Sequence, residues 1–199
     1  IGNHSHTHEY LVDLDKKKID EDINKSIEIF KKKLGYNPDY FSYPFGEYSL
    51  SFIEIIKKDF DLAFGQHSGV IDLSKNKFEL PRFPINEEYG DLDRFNSLIK
   101  LLPFYFKNIH PKENYLTSEK NPPKVYINFF KNQKNLQNTT CYSNENNRWR
   151  KSNTIFENEN KLNIIIEEKF TTERGRINCS LNTKEGWRWF GIQFVIGEN

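Results

Sequence analysis

Apolar residues recur at spacings of four and three along the first part of the chain, a period typical of an amphipathic helix. The residues that set this period are Ile19, Ile23, Ile27, Phe30 and Leu34. The helix is expected to end at Gly35, with Pro38 just beyond it. Residues 40–43 then form a short apolar and aromatic run, which predicts a strand that stops in a turn at residues 44–46.

The order of helix and then strand repeats farther along the chain. Apolar residues between Phe52 and Phe60 predict a second short helix, and residues 62–64 predict a second buried strand. Asp91 is expected to cap a third helix over residues 92–102. Such alternation favours an α/β fold with a parallel sheet, in which the loops at the strand ends form the site.

The residue composition changes near Lys107, and the helical spacing of apolar residues ends there. Residues 111–123 contain Pro111 and the pair Pro122-Pro123, and we interpret them as a linker. Strands are predicted beyond it at residues 125–129, 162–170, 177–181 and 187–195. We therefore expect an incomplete α/β domain at residues 1–110 and a small all-β, Ig-like sandwich domain at residues 124–199.

Charge and hydropathy narrow the classes of partner. The chain has 29 Lys and Arg against 28 Asp and Glu, a formal net charge of +1, and so lacks the basic excess that recruits nucleic acid. No run approaches the roughly 20 apolar residues of a membrane span. We expect no nucleic-acid partner and no membrane span in this segment.

Two cysteines, Cys141 and Cys179, lie in strand-like stretches of the last third. One disulfide in an oxidising compartment and two buried free thiols both suit them, because geometry decides the pairing. A periplasmic, secreted or cell-surface location is the favoured expectation.

Three of the five histidines, His4, His6 and His8, fall within the first eight residues. A polar surface loop or the remnant of an added histidine tag would explain such a cluster. A metal site would also explain it, because a turn can bring the rings of residues i and i+4 together, and neutral imidazoles suit zinc and related divalent metals.

Residues 2–8 read Gly-Asn-His-Ser-His-Thr-His, and this segment resembles the His-Ser/Thr-x-x-His motif of the polysaccharide deacetylases (NodB homology, carbohydrate esterase family 4). The resemblance implies a distorted (β/α) barrel and a divalent metal, with zinc favoured. It also implies that His4 and His8 are metal ligands and that His6 is not. The implied substrate is a polysaccharide that contains N-acetylated amino sugars.

A second segment, Ser42-Tyr43-Pro44-Phe45-Gly46, resembles the family's Arg-x-Pro-x-Gly motif. The resemblance implies that the Phe45 N–H stabilises an oxyanion while Pro44 and Gly46 fix the turn. An ordinary Pro-Phe-Gly turn is the plain alternative. The sequence departs from the motif at Ser42, where the family has Arg.

Two further residues are candidates for catalysis. Arg82 is the candidate substitute for the missing arginine, although a plain surface arginine would fit the sequence as well. His67 follows a predicted strand and is the candidate general acid, the alternative being a loop histidine with local hydrogen bonds. The family's usual acid lies in a Leu-x-His motif that the sequence lacks, and His110 is a weaker candidate.

The family's first motif, a strand that ends in an Asp pair, has no counterpart in the sequence. We expect it to precede Ile1, so that this segment by itself would be inactive.

Three arginines, at positions 174, 176 and 188, and three aromatic residues, at positions 187, 189 and 190, fall in or just before two adjacent predicted strands. One interpretation is that these residues form a surface that stacks on sugar rings. The other is that Trp189, Ile192 and Phe194 fill a core while the arginines face water.

The sequence therefore predicts a metal-dependent hydrolase that removes N-acetyl groups from an amino-sugar polysaccharide. Two alternatives stay open. One is a non-catalytic carbohydrate-binding or surface-assembly protein with a degenerate deacetylase fold, and the other is a sandwich domain that binds a partner protein.

Overall fold

The computed structural model describes residues 1–131 and 133–197 and shows a mixed α/β chain with three sheets. None of the helices in these residues is long and apolar enough to cross a membrane. Short 3-10 helices lie at Leu11–Asp13, Pro44–Gly46, Ser118–Lys120 and Leu136–Asn138.

The first half contains three α-helices and a two-stranded parallel sheet. Helices α1, α2 and α3 are Lys16–Leu34, Leu50–Ile56 and Leu92–Leu98, and strands β1 and β2 are Tyr40–Ser42 and Leu62–Phe64. Isolated parallel bridges join Asn3 to Phe41 and Phe64 to Leu80. Four parallel segments therefore lie side by side, and the loops that follow them share one edge.

The ends of the helices follow from their capping residues. The Asp15 carboxylate accepts a hydrogen bond from Lys18 N (3.0 Å), and Gly35 ends α1 in the left-handed conformation with φ 84°. Asp91 caps α3 as predicted, although none of the residues of α3 is buried. The helix is shorter than predicted because Leu102 already belongs to the next strand.

The described residues of the second half form ten strands. They are β3 Leu102–Pro103, β4 Asn108–His110, β5 Tyr115–Leu116, β6 Val125–Asn128, β7 Thr140–Glu145, β8 Arg148–Lys151, β9 Asn153–Glu157, β10 Lys161–Ile165, β11 Arg174–Thr183 and β12 Gly186–Ile196. One sheet has the order β4-β6-β10-β9. The other has the order β3-β12-β11-β7-β8, with β5 also paired to β12.

Strands lie on both sides of the predicted domain boundaries. Strand β4, before residue 111, pairs with β6, and β5, within the predicted linker, pairs with β12. The domain boundaries themselves stay a prediction.

Among residues 1–131 and 133–197, buried apolar side chains form two clusters. One lies among α1, α2, β1 and β2, and the other is shared by the two large sheets. Val195 of β12 belongs to the first cluster although it is far away in sequence. The last strand therefore packs against the parallel segments, which brings it close to their loops.

The structure pairs Cys141 with Cys179 in a disulfide, and these residues lie directly opposite each other on β7 and β11. Ile192 and Phe194 are buried, as expected, and Trp189 is half-buried. The prediction that the arginines face water is wrong for Arg174, Arg176 and Arg188. They are half-buried, and each donates a hydrogen bond to a neighbouring polar group.

Candidate metal centre and catalytic turn

The histidine segment leaves the first parallel segment at Asn3, whose side chain fixes the start of the loop. Asn3 is buried, and its amide oxygen accepts hydrogen bonds from Ser5 N (2.9 Å) and from the Ser26 hydroxyl of α1 (3.0 Å). These hydrogen bonds therefore hold the backbone in place immediately before His4.

Asp22 of α1 fastens the middle of the same loop. Its carboxylate accepts from His6 N (2.9 Å) and Thr7 N (3.0 Å), and also from the Thr7 hydroxyl (2.7 Å). Asp22 is buried on the apolar side of the helix. One carboxylate of α1 therefore holds the histidine loop against the helix. The sequence analysis did not predict this contact.

Backbone conformation brings His4 and His8 together. Ser5 and His8 have φ values of 68° and 58°, and the Ser5 hydroxyl accepts from His8 N (3.1 Å). The two imidazole rings lie with centroids 4.8 Å apart. His6 is exposed and forms no part of this ring pair.

The tautomer of His4 follows from its partner. Nδ1 lies 2.6 Å from the carbonyl oxygen of Ser42, which can only accept, so Nδ1 carries the proton. Nε2 is then the basic nitrogen, the arrangement seen in histidines that bind metals. The donor chemistry of His4 and His8 fits a zinc ion, but in residues 1–131 and 133–197 no group of three His, Cys, Asp or Glu side chains could hold one.

The turn after β1 lies beside the histidine pair. Phe45 and Gly46 both have left-handed backbones, with φ 58° and 70°. The Phe45 ring lies 4.7 Å from the His8 ring and stacks on Tyr10 at 4.3 Å. Tyr43 is fully buried, and its hydroxyl donates to the Phe78 carbonyl (3.1 Å). The structure thus brings the two sequence motifs into contact.

An arginine of β11 lies beside this turn. Arg174 lies with its guanidinium carbon 5.3 Å from the centre of the Phe45 ring, and its Nε donates to Glu47 Oε1 (2.5 Å). Glu47 is 2% exposed. Burial raises the pKa of Glu47, and the Arg174 charge opposes that rise. The two residues are 127 positions apart, so no local pattern could have predicted the pair.

His67 lies elsewhere, in a cavity of about 410 Å³ between the parallel segments and β12. The pKa of His67 is about 4, because burial lowers it more than the hydrogen bond with the Glu79 backbone raises it. Nδ1 is buried and has no hydrogen-bond partner in the described residues. The imidazole is therefore neutral near pH 7, and its role as general acid stays a prediction.

We expect His67 to make the folded protein sensitive to acid. Its unfolded pKa is about 6.5 and its folded pKa about 4, so between these values the unfolded chain binds more protons and stability falls as pH falls. The free energy of unfolding should lose up to about 3 kcal/mol by about pH 4. Urea denaturation near pH 7 and near pH 4 measures this loss in the wild-type protein and in His67→Gln, and the variant should lose less stability. If both proteins lost the same free energy of unfolding, His67 would not be the source of the acid sensitivity.

The other two candidates, Arg82 and His110, have partners in other parts of the protein. Arg82 follows the outermost of the four parallel segments, which lies about 14 Å from the first segment at ordinary strand spacing. Its N–H donates to the His67 carbonyl (3.1 Å), and burial lowers the pKa of its guanidinium. The Ser42 hydroxyl is buried and has no partner among the described residues. His110 of β4 stacks on Tyr126 of the neighbouring strand β6, with ring centroids 4.7 Å apart.

The comparison with protein families agrees with the interpretation of the two motifs. The family model described as polysaccharide deacetylase matches residues 1–59. A Streptococcus pyogenes deacetylase, PplD in complex with acetate, is similar in structure at 17% identity and a TM-score of 0.46. The likeness covers 49% of this chain and 43% of that protein, so the chain spans less than half of its length. No curated protein matches the sequence. The histidine pair and the Phe45 turn therefore lie within residues 1–59, the part of the chain that matches the polysaccharide deacetylase family model.

Proposed function

We propose that this chain is part of a metal-dependent hydrolase that removes N-acetyl groups from an amino-sugar polysaccharide. One observation carries the proposal. Two imidazoles and the Phe45 turn meet at the shared edge of the parallel segments, inside the residues that match the deacetylase family. The reaction breaks an amide C–N bond with one water molecule and leaves acetate and a free amine on the sugar.

His4 and His8 are the proposed metal ligands. His4 would bind through Nε2, because its Nδ1–H is held by the Ser42 carbonyl. Zinc is the favoured ion, since neutral imidazole is among its preferred ligands. A divalent ion bound there would polarise the acyl oxygen and lower the pKa of water. Asp22 and Asn3 would keep the two rings in place by fixing the backbone of the loop.

The Phe45 N–H is the proposed donor to the oxyanion. A backbone donor in a rigid turn stabilises negative charge that develops on the acyl oxygen, because it needs no reorganisation during the reaction. The Tyr10 ring stacks on Phe45 and is 40% exposed, and its outer face suits packing against a sugar ring.

The finer description of the fold belongs to the same proposal. We interpret the four parallel segments as part of a distorted (β/α) barrel. We interpret the two large sheets, which share one buried apolar cluster, as a β-sandwich. The Cys141–Cys179 disulfide supports an extracytoplasmic location, because such bonds persist in oxidising compartments.

Acetate release tests the proposal. The full-length gene product, loaded with zinc or cobalt, should release acetate from N-acetylglucosamine oligomers, and a chelator should abolish the release. Binding of the oligomers and of the metal without any acetate would contradict the proposed hydrolase and favour the non-catalytic carbohydrate-binding alternative.

A further inference from the structure

Strand β12 reaches the Phe45 turn through the side chain of Gln193. Its Nε2 donates to the carbonyl oxygens of Phe45 (3.2 Å) and Gly46 (3.4 Å). Gln193 is 1% exposed, so water does not compete for these hydrogen bonds. One amide from the C-terminal sheet thus bonds to two consecutive peptide groups of the turn.

The orientation of this amide is fixed by a second contact. Arg176 Nε of β11 donates to Gln193 Oε1 (3.1 Å). An arginine can only donate, so the oxygen of the amide must face Arg176 and the nitrogen must face the turn. The hydrogen-bond pattern therefore has one solution, in which Nε2 supplies both donors.

The turn is one that needs such support. Phe45 has a left-handed backbone, which non-glycine residues rarely adopt and which persists when the surroundings hold it. Its ring is in contact with Tyr10 and His8, while its carbonyl is held by Gln193. The peptide groups whose carbonyls Gln193 holds follow directly after the proposed oxyanion donor, the Phe45 N–H.

We propose that Gln193 is a positioning residue for deacetylation, which makes the C-terminal sheet part of the working site. This proposal rests on the proposed function. Gln193 does not touch the reacting atoms. It acts through the turn, by fixing the direction of the Phe45 N–H and the distance between the Phe45 and His8 rings.

Kinetics of Gln193→Glu and Gln193→Leu test the proposal. Both variants lose the two donors, and we expect kcat to fall by about tenfold to a hundredfold, because small misplacements of catalytic groups have effects of this size. KM should rise by a smaller factor than the factor by which kcat falls, since the Phe45 ring that Gln193 positions is only one part of the proposed sugar-binding surface. Gln193→Leu introduces no buried charge and carries the test if the other variant does not fold.

Gln133 provides the matched control, because its Nε2 donates to the Tyr105 carbonyl (2.9 Å), away from the turn. Gln133→Glu and Gln133→Leu should keep the wild-type kcat. Equal kcat losses at both positions, or no loss at Gln193, would overturn the proposal.

Imidazole NMR separates this proposal from the proposed function. A displaced Phe45 ring changes the ring current at His8, so the His8 resonances should shift in both Gln193 variants and not in the Gln133 variants. If the wild-type protein releases no acetate, the proposed function fails and the NMR result alone decides whether Gln193 holds the turn. Unchanged His8 resonances in folded Gln193 variants would overturn the proposal.

Discussion

Replacing His4 or His8 with Gln should lower the zinc affinity of the protein by more than about 100-fold. The two rings lie 4.8 Å apart, and His4 Nε2 is left basic by the hydrogen bond from Nδ1 to Ser42. Loss of a residue that only orients a ligand costs about 10- to 100-fold in metal affinity, so loss of a ligand should cost more. Isothermal titration calorimetry with zinc measures the effect.

His6 is the matched control for this experiment. It has the same side chain, lies in the same loop and is held through its backbone by Asp22, yet its ring is not part of the pair. His6→Gln should keep the zinc affinity within about twofold of the wild-type value. A large loss at His6, or unchanged affinity in His4→Gln and His8→Gln, would show that the ligands are wrongly assigned.

Gly46→Ala should destabilise the protein by about 3–5 kcal/mol, the sum of a strained backbone and a steric overlap. Gly46 has φ 70°, and a Cβ there would lie 2.3 Å from the backbone nitrogen of Gln66. Because the obstacle is backbone and not a flexible side chain, the turn or the loop after β2 must move. The free energy of unfolding from urea denaturation measures the loss.

Gly35→Ala separates the two contributions. Gly35 also has a left-handed backbone, with φ 84°, but a Cβ there would meet nothing within 4 Å. Only the conformational cost of about 1–2 kcal/mol is therefore expected. If both alanine variants lost the same stability, close packing of the Phe45 turn against Gln66 would be contradicted.

The sequence predicted those elements whose signals are local. Helix α1 was readable because Ile19 and Ile23 repeat on one face between the Asp15 cap and Gly35. Strands β1 and β2 were readable as short apolar runs. Strand β7 was recognised only as a strand-like stretch around Cys141. Strands β8 and β9 were not predicted, because polar and charged residues interrupt them and none of their residues is buried.

The candidate site was predictable only in part, for the same reason. The His-x-x-x-His spacing indicated that His4 and His8 could meet, and the Pro-Phe-Gly triplet indicated a turn. The left-handed backbones of Ser5, His8 and Phe45 carry no sequence signal, because none of these residues is glycine. Glu47, Arg174 and Gln193 become neighbours of the turn through packing of distant strands, which no spacing along the chain records.

Acetate release by the full-length gene product with matched histidine substitutions tests the central claim most directly. On N-acetylglucosamine oligomers with saturating zinc, wild type and His6→Gln should release acetate at similar rates, whereas His8→Gln should be at least about 100-fold slower. Equal rates for His8→Gln and His6→Gln would contradict the account, because the histidine pair beside Phe45 would then have no part in the reaction.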